Sequence, residues 1–284
     1  MRKYKEIVRV NLRHVLSFYK EEVSVTTAWW AWNIPFQLAS ILISLLIYYY
    51  YALAFGGYSP LFGENFMTFI IVGLMMNTYL DISMDAYYSA ISALYMGKEG
   101  IGGLAISRMD YLSLAGISPY VFIFARVSYY YITQTIVFLL YFLAGQFFGV
   151  SIPFLKNLGL VVIAMMLGII ACSGIGLISA SMYWLAGSYR GVEPIRWTIR
   201  MLVPLLSGIF VPLHVLPESI RAISILLPQT HTLQAVRASL AGATFSQILP
   251  NLGALIIFSV VLVPVGLLLL KYSLNLERKR GTIY

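Results

Sequence analysis

Six apolar stretches of bilayer-crossing character, the fifth of them short, leave this chain few folds to choose from. They cover residues 29–54, 64–95, 119–149, 157–183, 197–212 and 248–271. A helix rises 1.5 Å per residue, so about 20 apolar residues cross a hydrocarbon core of about 30 Å. The first stretch carries Trp29, Trp30 and Trp32 at one end and Tyr48 to Tyr51 at the other, as amphipathic rings at two headgroup layers should. Composition agrees: 60% of residues are hydrophobic and 11% charged, with a mean hydropathy of +0.83, against roughly 25% charged in soluble domains. The expectation is an all-α integral membrane protein, a single transmembrane domain over residues 1–284, with no room for a sizeable soluble domain.

The first 28 residues alternate Lys, Arg and Glu with apolar residues and lack the continuous apolar core of a cleaved signal peptide. Val8, Leu12, Val15, Leu16 and Tyr19 recur at helical spacing with Arg9, Arg13 and Lys20 to the side. Residues 1–28 therefore read as an amphipathic helix on the membrane surface, or one that binds a partner protein.

Six crossings put both termini on one side, and basic residues choose the side. Of the 19 Lys and Arg, only Lys156, Arg221 and Arg237 fall opposite the termini, with Arg126 inside the third stretch. Both termini are expected in the cytoplasm of a multi-pass cell (plasma) membrane protein. The net charge of +8 follows from this bias and from attraction to anionic lipid heads, and calls for no nucleic acid.

Between the fifth and sixth stretches lies a segment too polar and too broken to cross. Pro212, Pro217 and Pro228 forbid one straight helix, so the reading is two short helices, about Glu218–Leu227 and Gln229–Ala241, meeting at Pro228. Ile220, Ile223, Leu226 and Leu227 share a face of the first, and Leu233, Val236 and Leu240 a face of the second, with Arg221, Gln234 and Arg237 elsewhere. Broken helices at membrane depth persist where protein or a watery cavity satisfies their backbone. Residues 213–242 are thus expected to form an outward-facing re-entrant hairpin, a gate over a pathway.

Catalytic patterns do not occur. There is no phosphate-binding Gly-x-x-x-x-Gly-Lys-Ser/Thr, no His-Glu-x-x-His and no Gly-x-Ser-x-Gly. His14, His214 and His231 stand in three separate segments, so no shared metal site is expected. The lone Cys172 reads as a packing residue. The chain reads as a conduit and not an enzyme. Asp81 and Asp85 share one face of the second stretch, continued by Tyr88. A carboxylate in hydrocarbon costs roughly 2.5–3.5 kcal/mol on insertion scales. The pair either lines a vestibule near the inner mouth or stands beyond the bilayer in solvent. Tyr130, within Tyr129 to Tyr131, either lines the pathway or packs. Gly145 and Gly149 are spaced for a close helix contact.

One family has this layout. Ser207, Gly208, Phe210, Pro212 and Leu213, then Leu216-Pro217, Pro228 and Arg237, resemble the last third of the permease subunits of type-two ABC exporters. On the cytoplasmic side, residues 97–118 hold Glu99, Gly103 and Leu104 before Ser118-Pro119, which resembles that family's coupling loop, though without its Thr and with a longer spacing. The resemblance implies that Glu99, Gly103, Leu104, Ile106 and Met109, with Tyr111 and Leu112, meet an ATPase. It also implies a dimer with a second permease copy or paralogue in the lipid bilayer, and two ABC ATPase subunits that carry ATP and Mg, with no cofactor on this chain. The substrate would be amphipathic, lipid-like or glycan-like. Two other readings stay open: a secondary carrier coupled through Asp81, Asp85 and Arg126, and a lipid enzyme, for which no acid, base or metal cluster is found. The absence of an internal repeat counts against the carrier.

Overall fold

The computed structural model describes residues 2–54, 66–95, 97–99, 105–150, 157–185 and 194–280. Nine helices among them carry the architecture: α1 (Arg2–Ala54), α2 (Phe66–Tyr95), α3 (Arg108–Leu114), α4 (Pro119–Phe147), α5 (Leu158–Leu185), α6 (Pro194–Leu206), α7 (Glu218–Ser224), α8 (Pro228–Leu240) and α9 (Phe245–Arg280). Five of them, α1, α2, α4, α5 and α9, contain segments long and apolar enough to cross a membrane. The chain is a helical, multi-pass type of membrane protein. Its only departure from helix and turn among the described residues is a short antiparallel pair, β1 (Gly97–Glu99) and β2 (Ala105–Ser107), with Lys98 opposite Ile106.

Two boundaries differ from the sequence reading. No break separates residues 1–28 from the first stretch: α1 runs for 53 residues, roughly 80 Å. Neither Gly nor Pro occurs before Pro35 to interrupt it, and Phe18 and Tyr19 hold it against α4 through ring contacts with Phe122 and Tyr129 at 5.3 and 6.2 Å. The fifth stretch, expected over 197–212, is helical for only 13 residues, roughly 20 Å. Pro204 lies near its end and the chain then bends through 207–211, where Gly208 takes φ +81°.

Lipid tails are as apolar as leucine, so helices in a membrane associate by close packing and hydrogen bonds more than by burial. The centre of the bundle is α5, whose Gly168, Gly174 and Gly176 each admit a different neighbour. A methyl at Gly176 would collide with the Ser83 carbonyl of α2, and one at Gly168 with Thr232 of α8. At Gly174 it would stand 2.6 Å from Cβ of Leu262 on α9, and Gly266 of α9 is equally close to Leu177. A polar seam joins α2 to α4. The Tyr131 hydroxyl donates to Ser83 at 2.8 Å, Tyr79 to Thr135 at 2.9 Å, and Gln134 to the Thr78 carbonyl at 3.3 Å. Gly145 fits against Ile71, with a methyl there 3.3 Å from it. Gly149 does not pack. It takes φ +68° with nothing near it and ends α4, where Val150 N–H and Gly149 N–H return to the Gly145 and Gln146 carbonyls.

Register fixes the directions. Tyr131 meets Ser83 and Thr135 meets Tyr79, so α2 and α4 are antiparallel. Gly174 meets Leu262 and Ser181 accepts from Ser273 at 2.8 Å, so α5 and α9 run parallel. Two parallel neighbours start at the same end of the bundle. The chain between them must return from the end where α5 finishes to the end where α9 begins. One end of the bundle thus holds the start of α2, α5 and α9, here the hairpin end, and the other holds α3.

Candidate functional site

The segment between α6 and α9 folds as two short helices, and its prolines explain where they start. Pro217 is the residue before α7, Pro228 the first residue of α8, and Pro212 the residue before a 3₁₀ turn over Leu213–Val215. At each of these places a backbone N–H would have no helical partner, so its loss costs nothing. The expected meeting point at Pro228 is where α8 begins. At its other end Gly242, φ +96°, closes α8, with Gly242 and Ala243 N–H bonded to the Ser239 and Ala238 carbonyls.

Although α8 is polar in sequence, all of it but Gln234 and Ala238 is buried. Leu233, Val236 and Leu240 join the core with Met84, Val161 and Met165. Its polar residues serve as anchors. Gln229 donates to the Met84 sulfur at 2.9 Å, and Thr232 fills the niche at Gly168. His231 places Nε2 2.9 Å from the Ile225 carbonyl and Nδ1 3.1 Å from the Asn251 amide of α9. Asn157, just before α5, donates to the Ser239 and Ala243 carbonyls at 3.2 and 3.1 Å. The helix therefore enters at the depth of Met84 and climbs to the hairpin end.

Arg237 is the charged one of these anchors, 3% exposed. Its Nη1 donates to the Gly208 carbonyl at 2.5 Å, and Nη2 to those of Phe69 and Ile209 at 2.9 and 3.1 Å. The guanidinium lies 3.6 Å from the centre of the Phe69 ring. It reaches the α2 backbone because residue 73 is glycine: a methyl there would collide with Nη2. The bend after α6 leaves carbonyls without helical partners, and Arg237 supplies their donors. A cavity of about 400 Å³ opens beside it, bordered by Ser207, His214, Gln234 and Asn251.

The other expected residues separate into two places. Asp81 pairs with Arg200 of α6 at 3.0 Å and its side chain is 26% exposed. Asp85 accepts from Ser89 at 3.2 Å, and Tyr88 lies edge-on to Tyr183. Tyr130 belongs elsewhere: its hydroxyl accepts from Arg126 Nε at 3.2 Å, and Arg126 also sits 5.6 Å over its ring. Asp81, Asp85 and Tyr88 thus form one stripe on α2, which Tyr130 does not join.

At the α3 end, Ser107 and Asp110 cap α3 reciprocally, with Ser107 N–H to Asp110 at 3.0 Å and Asp110 N–H to Ser107 at 3.2 Å. Met109, expected to face a partner, is instead buried with Leu112 in a cluster that includes Leu94 and Phe122. A three-residue offset on a short helix puts both on its inner stripe. Tyr111 and Leu114 face out, 52% and 84% exposed. Gly103 and Leu104 lie outside the described residues, as do the side chains of Glu99 and Ile106. Arg108 binds Glu21 of α1 at 2.5 Å, and Arg126 pairs with Glu22. Phe122 sits beneath both guanidinium groups.

Sequence reasoning missed the partners of Asp81, Glu21 and Glu22, and the niche at Gly73. The one available signal was in α8, where Gln229, Thr230, His231 and Thr232 follow each other between apolar stretches. No family model matches the sequence, and no curated protein does.

Proposed function

We propose that this chain is the membrane-spanning permease subunit of an ATP-driven exporter of the type-two ABC class. It forms the pathway as a dimer with a second permease, and two separate ATPase subunits hold ATP and Mg. The observation that carries this reading is the α7–α8 hairpin, a broken helical pair locked among α2, α5 and α9 at one end of the bundle. Such a pair is a fixed lid over the space between two permeases.

Three further features support it. The parallel course of α5 and α9 calls for a crossing between them, and α6 with the bend after it supplies one. Arg200 meets Asp81 part-way along α2, and Arg237 ties Ile209 to Phe69 near its start. On this reading the chain makes six crossings, and the charge bias of the sequence would put both termini in the cytoplasm and the hairpin outside. Second, the capped helix α3 leaves Tyr111 and Leu114 exposed, at the end that this reading assigns to the cytoplasm and the ATPase. Third, the ion pairs from Glu21 and Glu22 link α3, α1 and α4, so movement of α3 is passed to two long helices. Nucleotide drives the cycle by binding one arrangement of this assembly more tightly than the other. The cargo is amphipathic, lipid-like or glycan-like, and the membrane is the cell membrane.

A second reading, an ion-coupled carrier, draws on the Asp81–Arg200 pair within the bundle. One reconstitution separates the two. The chain is purified with a candidate ATPase and ATP hydrolysis is followed in lipid vesicles. Co-purification with altered ATP turnover is expected, and Glu99→Ala is expected to uncouple hydrolysis from transport. No association, together with transport abolished by Asp81→Asn under an ion gradient, would favour the carrier.

A further inference from the structure

The cavity beside Arg237 has the chemistry of an anion site. Among the described residues no Asp or Glu stands within ion-pair distance of this buried guanidinium. Carbonyl dipoles and the Phe69 ring take up three donated bonds and part of its charge, and Nε–H has no partner. A buried cation held this way keeps an unbalanced charge, and an anion brought alongside gains where both are partly withdrawn from water. The cavity meets Arg237 on one side and the polar side chains of Ser207, His214, Gln234 and Asn251 on the others. Its size, about 400 Å³, falls within the roughly 300–1,000 Å³ of small-ligand sites.

Depth narrows the choice of anion. The cavity lies at the hairpin end, where Tyr48 of α1 stacks on Phe210 at 5.0 Å and Tyr49 lies against Phe148 at 5.7 Å. Tyrosines gathered at a helix end mark the headgroup layer. The neighbour of Phe210, Ile209, is itself bound by Arg237. We propose that this cavity binds a phosphate group at headgroup depth, with Arg237 as the fixed cation and Gln234 and Asn251 as hydrogen-bonding partners. The phosphate belongs to a lipid headgroup or to a soluble phosphate. The site depends only on the chain being a membrane protein and holds for exporter and carrier alike.

Because Arg237 also holds the backbone together, its replacement confounds binding with folding. Gln234 is exposed to the cavity and stands one helical turn from Arg237, so Gln234→Glu places a carboxylate where the phosphate would sit. The full chain, in neutral lipid-free detergent micelles, is titrated with phosphatidylglycerol or with inorganic phosphate at matched ionic strength, and thermal unfolding is followed. Saturable stabilisation of the wild type is expected. Gln234→Glu should weaken that response at least about tenfold, the equivalent of 1.4 kcal/mol, without lowering stability in the absence of phosphate. Gln234→Ala, which removes one hydrogen bond but leaves the cation uncompensated, should weaken the response less than Gln234→Glu does, by about threefold. A response to phosphatidylglycerol alone assigns the group to lipid, and a response to both probes assigns it to a soluble phosphate. No saturable response to either, or equal responses in wild type and Gln234→Glu, would overturn the proposal.

Discussion

The two ends of the bundle hold their charges in opposite ways. At the hairpin end Arg237 is buried, bonded to three carbonyls and stacked on Phe69. At the α3 end Arg108 and Arg126 pair with Glu21 and Glu22, with side chains 17% to 43% exposed. Removing a buried charged partner leaves polar groups stranded, whereas water reaches a partly exposed ion pair and offsets more of its loss. The hairpin end is therefore built to stay fixed. The α3 end can shift and re-pair, as the proposed coupling to an ATPase requires.

Substitutions at the two ends should differ sharply in cost. Arg237→Leu strands the Gly208 and Ile209 carbonyls and should lower stability by about 1–3 kcal/mol for each, seen as a large fall in Tm in detergent. Gly168→Ala drives a methyl into Thr232 and should cost about 1–3 kcal/mol. With Thr232→Ala already present the added cost should shrink, because the atoms nearest the new methyl are gone. Equal costs in the two backgrounds would mean that α8 does not sit in the Gly168 niche. Glu22→Gln should cost at most about 1 kcal/mol and Glu21→Gln less still, both fading as salt is raised. A loss at Glu21 as large as that at Arg237 would erase the contrast between the ends.

The course of the chain was legible where the physics is local. Pro217, Pro228 and Gly242 mark the limits of α7 and α8 because they act through their own backbone, and apolar length alone gave α2, α4, α5 and α9. Other features were hidden because they depend on what lies across a contact. Gly73 is unremarkable on α2 until Arg237, 164 positions later in the sequence, needs its space. Arg200 reads as a loop cation beside Arg196 until α6 brings it to Asp81. Met109 looked available on a polar connection, yet α3 turns it inward with Leu112. The merging of residues 1–28 with the first stretch was hidden too, since amphipathic periodicity says which face is apolar and not what covers it.

The contrast rests on the hairpin and α3 lying on opposite sides of the membrane. Cys172 is buried and is the chain's one cysteine, so single-cysteine variants in a Cys172→Ala background report position cleanly. Glu218, with its side chain 94% exposed at the start of α7, and Leu114, 84% exposed at the end of α3, are the two positions to compare. In intact cells treated with a membrane-impermeant maleimide, Glu218→Cys should be labelled, and Leu114→Cys only after permeabilisation. Labelling of both from the same side would mean that the chain does not cross between α5 and the hairpin, and would contradict the six-crossing arrangement on which the permease reading stands.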